Sequence, residues 1–423
     1  MTILIIAWRN IWRNSWRSAV VIGAMSLGVW SGIFMMGWAQ GLNNQRTVTL
    51  LDDNVGHGRI TSFNYLEKQD PSSIIDNLKS VEEMIIADPN ITAYSSRVVC
   101  NAMVQGGSGS APVIAYGVTP KSEQSLFSAA RNISSGNFFK SSFAEDVVLG
   151  EKLANRLEVE IDDRIILTFQ DINGGVHSAL FWLVGIYDGA SNLLEESMIY
   201  VPKGTISSQM GFTDTTNIDF NFNSIAHEVN YRVKEPYQIE ETSSSLEGEV
   251  KKREIHNDNS LIFRTWKEVS PELGVADAIL AQSLLLFMMI ILLAMSFGIL
   301  NTMLMAILER TRELGMLMAV GMNRQKIFNL IVTETILLSF FGLPIGLLFG
   351  HISLYVTSKT GITLKSVEQG LAQYGIESTV YPAIVPEYYL PVTALVLVLS
   401  FLSALHPARK ALKLNPIESM RVL

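Results

Sequence analysis

The chain has 423 residues, 48% of them hydrophobic and only 17% charged, with a mean hydropathy of +0.27; soluble proteins carry about 25% charged residues, so a purely soluble globular protein is disfavoured. A net charge of −8, from 32 Lys and Arg against 40 Asp and Glu, supplies no general basic field for nucleic acid phosphates. The single cysteine, Cys100, rules out an intramolecular disulfide and any zinc site built from several cysteines.

At the start of the chain, Trp8, Trp12 and Trp16 recur at four-residue spacing, and Arg9, Arg13 and Arg17 follow one position later. On a helix this sets an indole stripe beside a guanidinium stripe. Indoles favour the headgroup level and arginines reach lipid phosphates, so these six residues are expected to anchor an amphipathic helix, residues 1–17, on the cytoplasmic membrane face. Four runs free of Asp, Glu, Lys and Arg follow: 28 residues from Ser18 to Gln45, 31 from Ala278 to Leu308, 24 from Thr335 to Ser358 and 21 from Tyr388 to Ala408. A helix rising about 1.5 Å per residue needs roughly 20 residues to cross a hydrocarbon core of about 30 Å. Spans are therefore expected at 18–41, 278–308, 327–358 and 388–408. The first run is too long for a signal-peptide core and lacks a small-residue cleavage site.

Lys and Arg gather before the first span, in the 309–326 link and in the 409–423 tail, whereas the 359–387 loop has two Lys against three Glu. By the positive-inside tendency both termini and the link are expected in the cytoplasm. Residues 42–277 then lie on the far side, with a net charge of −14 against +6 for the rest. That block alternates short apolar strands (98–104, 112–117, 164–169, 179–184) with turn residues and with helical patterns at 73–86 and 151–157. It reads as an α+β domain of two lobes with 258–274 returning to the membrane. No nucleophile elbow, paired-histidine metal spacing or buried carboxylate pair stands out, so neither an enzyme nor a metal or cofactor site is expected in this chain.

The most informative stretch leaves the second span. Glu309, Arg310, Arg312 and Glu313 fall where the helix leaves lipid. An apolar patch with Leu314, Gly315 and Met318 follows, then a bend at Gly321 and a further cation, Arg324. A short helix of mixed apolar and charged character between spans suits docking into a groove on another protein. Glu334, close to the inner interface, is expected to pair with Arg312 or Arg324.

ERTRELGMLMAVGMNRQKI in this stretch resembles the coupling helix of the ABC-transporter permeases that include the macrolide exporter, the lipoprotein-releasing permeases and the cell-division permease FtsX. Glu334–Gly350 (ETILLSFFGLPIGLLFG), His406–Arg421 (HPARKALKLNPIESMR), Val147–Phe169 and Leu183–Tyr187 resemble further parts of that family. Asp163 and His406 depart from its pattern, replacing a Gly and an aromatic. The resemblance implies four transmembrane helices with a large extracytoplasmic domain between the first and second. It also implies mechanotransmission, in which the nine residues just named from Glu309 to Arg324 couple to a separate cytoplasmic ABC ATPase dimer that binds the ATP and Mg. A phosphate-cradling G-x-x-x-x-G-K-[ST] loop does not occur in the sequence.

A second permease, identical or related, and a periplasmic carrier or adaptor are the other partners implied, with membrane lipid and without nucleic acid. Glycines at four-residue spacing, Gly28 and Gly32, then Gly342, Gly346 and Gly350, would let helix backbones approach closely. Among functions, lipoprotein release from a bacterial inner membrane comes first. Export of peptides or small molecules through an adaptor is second, and regulation of a periplasmic hydrolase third.

Overall fold

The computed structural model describes residues 2–412 except Asn14, Ala190, 213–223, 236–237, 253–260, 368–369, 372–375 and 377; the final stretch of the His406–Arg421 motif lies outside the described residues. The chain divides into two compact units, residues 1–44, 277–363 and 379–423 in one and 45–276 with 364–378 in the other.

In chain order the elements are α1 (Thr2–Arg13), α2 (Ser15–Leu50), a π-helical turn (Leu51–Val55), β1 (Gly58–Ser62), α3 (Phe63–Lys68), α4 (Leu78–Ala87), β2 (Ile91–Gly106), β3 (Gly109–Val118), α5 (Pro120–Leu126) and β4 (Ile133–Gly136). Then come β5 (Asp146–Gly150), α6 (Glu151–Leu157), β6 (Arg164–Gln170), β7 (Val176–Tyr187), α7 (Asn192–Ser197), β8 (Met198–Pro202), α8 (Lys203–Gln209), β9 (Glu228–Val233), α9 (Ile239–Lys252), β10 (Leu261–Thr265) and α10 (Trp266–Val269). The last are α11 (Pro271–Glu309), α12 (Thr311–Ala319), α13 (Arg324–Thr360), β11 (Ile362–Thr363), β12 (Thr379–Val380) and α14 (Tyr389–Leu412). Four helices are long and apolar enough to cross a membrane, in α2, α11, α13 and α14, with a large α+β domain inserted between the first and the second of them.

The helical unit packs through small residues. Along α11 the buried side chains include Leu284, Met288, Leu292, Met295, Ile299, Met303 and Ala306, a four-four-three spacing of 11 residues in three turns that keeps one seam facing its neighbour without a left-handed supercoil. Two of them meet glycine notches on α2: a Cβ at Gly28 would lie 2.7 Å from Met295 Sδ, and one at Gly32 would collide with Met288. A different face of α2 receives the α13 ladder. A Cβ at Gly342 would lie 2.8 Å from Met25 Cβ, one at Gly346 2.7 Å from the Ser26 carbonyl oxygen, and one at Gly350 3.0 Å from Ile33 Cγ2. The Ser26 hydroxyl donates across this seam to the Gly342 carbonyl at 2.9 Å. Thr335 and Ser339 of α13 return their hydroxyls to their own helix, at 3.1 Å to the Ile331 carbonyl and 3.0 Å to the Thr335 carbonyl, so burying them leaves no polar group unsatisfied.

The other unit is built on a ring of strands. β2 pairs β3, β3 pairs β8, β8 pairs β5, β5 pairs β7, β7 pairs β6, and β6 returns to β2. A closed six-strand barrel results, and closure removes the exposed edges that an open sheet presents. Alternate residues point inward: Val98 and Val104, Val113 and Ala115, Ile199 and Val201, Val147 and Leu149, Phe181 and Leu183, and Ile165 and Leu167 form one buried cluster. Outside the barrel, Tyr116, Val148, Tyr187 and Tyr200 carry a second cluster with Phe138 and Phe139.

Sixteen residues long, β2 changes partner along one edge. Its first half pairs β9 and its second half pairs β6. β9, β1 and β10 extend the first half into an antiparallel sheet. With α4 and α9 that sheet forms a separate core around Ile60, Val81, Met84, Val229, Tyr231 and Leu246. The helix in the 73–86 stretch begins only at Leu78, after a left-handed Asn77, and the turn from β2 to β3 is just Gly107 and Ser108, because Gly109 already pairs with Gly106.

Arg97 sits where β2 changes partner, and it is fully buried. Its Nε and Nη2 donate to Glu123 Oε1 at 3.0 and 2.5 Å. Nη1 donates to the Asn54 side-chain oxygen at 2.7 Å and to the Asn54 carbonyl at 3.1 Å, and it faces Glu228 at 3.7 Å. The guanidinium plane covers the Phe127 ring at 4.0 Å and the Tyr116 ring at 4.5 Å. Ser95 donates to the other Glu123 oxygen at 2.6 Å. One side chain thereby ties the π-helical turn, the barrel and the β9 sheet. Close by, burial depresses the Lys203 ammonium to about 8, and its Nζ donates to Ser96 Oγ at 2.8 Å.

Candidate functional site

The stretch from Glu309 to Lys326 lies within the helical unit. Arg310 adopts φ −103° and ψ 17°, so α11 ends at Glu309 and α12 begins at Thr311. Gly321 terminates the segment at φ +97°. The Met322 N–H bonds the Leu317 carbonyl at 2.9 Å and the Gly321 N–H bonds the Met318 carbonyl at 3.1 Å. That pattern is a Schellman cap, which calls for a left-handed residue at this position. Asn323 then caps α13 by accepting from the Gln325 N–H at 3.3 Å, so α13 starts before the 326 limit expected for the link. Gly321→Val should cost about 1–2 kcal/mol through backbone strain and shorten or redirect α12. Melting of the detergent-solubilised protein checks it, and a melting temperature equal to that of the parent would refute the strained-turn reading.

The segment has two sides. Leu314 and Gly315 are buried and Met318 packs against the helical core. Glu309, Arg310 and Glu313 are engaged inside the unit: Glu309 with Arg17, Glu313 with Arg13 and, at 3.0 Å, with Arg310. Burial raises the Glu313 carboxyl, but hydrogen bonds from Arg13 and Arg310 outweigh it and hold the group below the usual glutamate range. The outward side carries Arg312, Met316, Val320, Gly321, Arg324 and Lys326, all exposed, with Val320 at 89%. An apolar ridge flanked by cations is a surface for a protein groove with acidic walls.

Glu334 pairs with Arg310, at 3.5 Å, and not with Arg312 or Arg324. It lies ten residues beyond Arg324 on α13, about 15 Å along the axis, whereas Arg310 occupies the break between α11 and α12 and turns towards it. The α1 residues also depart from a helix laid only against lipid. Ala7 and Ile11 are buried, and Trp8 and Trp12 stand 5.5 and 6.5 Å, ring to ring, from Phe341 of α13. Trp16 is 84% exposed, and among the described residues Arg9 has no ion-pair partner. The partners of Arg13 and Arg17 lie about 300 residues away, beyond the reach of any local pattern. Arg97 could have been noticed in the sequence as a lone cation opening the apolar run Arg97–Cys100.

Among the described residues no group of His, Cys, Asp and Glu could hold a metal ion. Residues 18–249 match the MacB-like periplasmic core domain and residues 285–416 the C-terminal domain of FtsX-like permeases. Both matched parts are permease domains, and the chain belongs to the FtsX/MacB-like family of ABC transporter permeases. It is 30% identical over 163 residues to the macrolide export ATP-binding/permease protein MacB of Syntrophobacter fumaroxidans, covering 37% of this chain and 20% of the relative. An uncharacterized ABC transporter permease of Methanocaldococcus jannaschii is 32% identical over 204 residues, 48% of this chain and 46% of the other. The lipoprotein-releasing system transmembrane protein LolC of Xylella fastidiosa is 18% identical over 366 residues, 80% of this chain and 79% of the other. The first two matches thus span from a fifth to about half of those relatives.

Proposed function

We propose that this permease works by mechanotransmission. A separate cytoplasmic ABC ATPase dimer seats the outward side of α12, and closure of that dimer on ATP tilts the long helices and moves the extracytoplasmic domain. A second permease, identical or related, completes the membrane part. The observation that carries this reading is the exposed Met316 and Val320 ridge between Arg312 and Arg324, set on a helix whose other side is buried. The distribution of Lys and Arg supports a bacterial inner-membrane orientation with both termini in the cytoplasm.

For cargo we favour lipoproteins, with a periplasmic carrier as acceptor. The alignment with the lipoprotein-releasing protein runs along four-fifths of the chain. A groove of about 700 Å³ between α2 and α13, lined by Ile22, Gly23, Leu27, Trp30, Ile345 and Phe349, is almost wholly apolar and suits acyl chains. The second reading, export of small molecules or peptides through an adaptor, is favoured by the 30% identity to the macrolide exporter.

Replacing Met316 and Val320 together by Glu should leave the chain folded and inserted, because both side chains are exposed, and should reduce capture of the ATPase about a hundredfold. This is measured by pull-down from detergent with the co-expressed ATPase. Undiminished capture would remove α12 from the docking surface.

A further inference from the structure

Two charged runs meet inside the helical unit in matching register. Arg13 pairs with Glu313 and Arg17 with Glu309; the arginines are four residues apart, so are the glutamates, and the two runs read in opposite directions. Arg13 ends α1 and Arg17 lies in the first turn of α2, while Glu309 ends α11 and Glu313 lies on α12, so the first pair joins α1 to α12 and the second joins α2 to α11, two rungs of one ladder. Arg310 adds a third cation, 3.0 Å from Glu313 and 3.5 Å from Glu334. Three cations and three anions close on one another. A single exposed ion pair fixes little, but this ladder stands on an apolar base: Ile11 belongs to the helical core and the Trp8 ring lies 5.5 Å from Phe341.

We infer that Arg13 and Arg17 are positioning residues of the coupling segment: Arg13 ties α1 to α12 so that the two move as one cytoplasmic lever, and Arg17 ties the start of α2 to the end of α11, both arginines gripping protein carboxylates rather than lipid phosphates. The inference rests on the proposed docking of an ATPase at α12 for its functional meaning, but the lever itself can be observed without an ATPase. A force applied to α12 then reaches α2 by way of α1, as well as α11 and α13 directly.

The test places spin labels on exposed positions of the two helices, at Leu4→Cys and Val320→Cys with Cys100→Ser, in the full chain reconstituted into phosphatidylethanolamine and phosphatidylglycerol vesicles. Pulsed electron resonance should give one narrow distance distribution. It should at least double in width in R13E/R17E and narrow again in R13E/R17E/E309R/E313R, where both rungs are restored with their charges exchanged. An unchanged width in R13E/R17E overturns the inference. So does a broadening equally present in R13E/R17E/E309R/E313R, which would assign the arginines to lipid. In vesicles that also hold the ABC ATPase, R13E/R17E should retain the bound ATPase and lose at least fivefold of its cargo-stimulated hydrolysis. A parent chain that binds no ATPase would defeat the docking proposal and leave the distance result standing.

Discussion

Arg97→Ala is expected to lower the melting temperature of the extracytoplasmic domain by about 10 °C, more than any other single truncation in that domain. Among the described residues, the substitution leaves the Glu123 carboxylate, itself fully buried, with only the Ser95 hydroxyl as donor. Breaking one half of a buried ion pair costs about 3–5 kcal/mol. In a domain of this size each kcal/mol shifts melting by about 2–4 °C. Removing both charges with Arg97→Met and Glu123→Met should recover more than half of the loss, because the penalty arises from the stranded charge and not from the missing attraction. The measurement is thermal unfolding of the full chain in detergent. A shift below 2 °C for Arg97→Ala would mean that water reaches the site and that the junction is not the anchor described here.

Gly346→Leu is expected to disrupt the helical unit. The new Cβ would stand 2.7 Å from the Ser26 carbonyl oxygen and 2.7 Å from Val29 Cβ, and a backbone carbonyl of a packed helix cannot yield as a flexible side chain does. Overpacking costs about 1–3 kcal/mol where neighbours relax, and here α2 and α13 must separate along their seam. Gly298→Leu supplies the contrast, since nothing lies within 4 Å of the position a Cβ would take there. Melting and monodispersity after detergent extraction should be impaired for the first variant and unchanged for the second. Equal behaviour of the two would show that the α13 glycine ladder does not set the helix spacing.

These contacts mark where a one-dimensional reading reaches its limit. The four long apolar helices and the inserted α+β domain were legible, because hydropathy runs and strand alternation are local and the bilayer dictates helix length. The alternation of Arg164–Gln170, with Ile165, Leu167 and Phe169 buried, is of that kind. Closure of the barrel was not legible, since it depends on β6 finding β2 across more than sixty residues. The coupling segment could be located from Glu309-Arg310 and Gly321, but its charges were read as facing a partner. In the structure the acidic members of that motif are turned inward to Arg13, Arg17 and Arg310, and the outward side is left to Arg312, Met316, Val320 and Arg324. Opposite charges placed 300 residues apart carry no sequence signal of their pairing. Glu334 was assigned to the wrong arginine for the same reason: proximity along the chain stood in for proximity in space.

The claim on which the functional account depends is that the outward side of α12 seats an ABC ATPase. A cysteine at Val320, in the Cys100→Ser chain, can be cross-linked with a short bifunctional reagent in membranes that contain the co-expressed ATPase, with Leu397→Cys on the apolar face of α14 as the comparison. The account predicts a covalent adduct of permease and ATPase from position 320, none from position 397, and loss of cargo-stimulated ATP hydrolysis in the adduct. An ATPase that cross-links from neither position, or that hydrolyses ATP with undiminished cargo stimulation once tethered at 320, would contradict it.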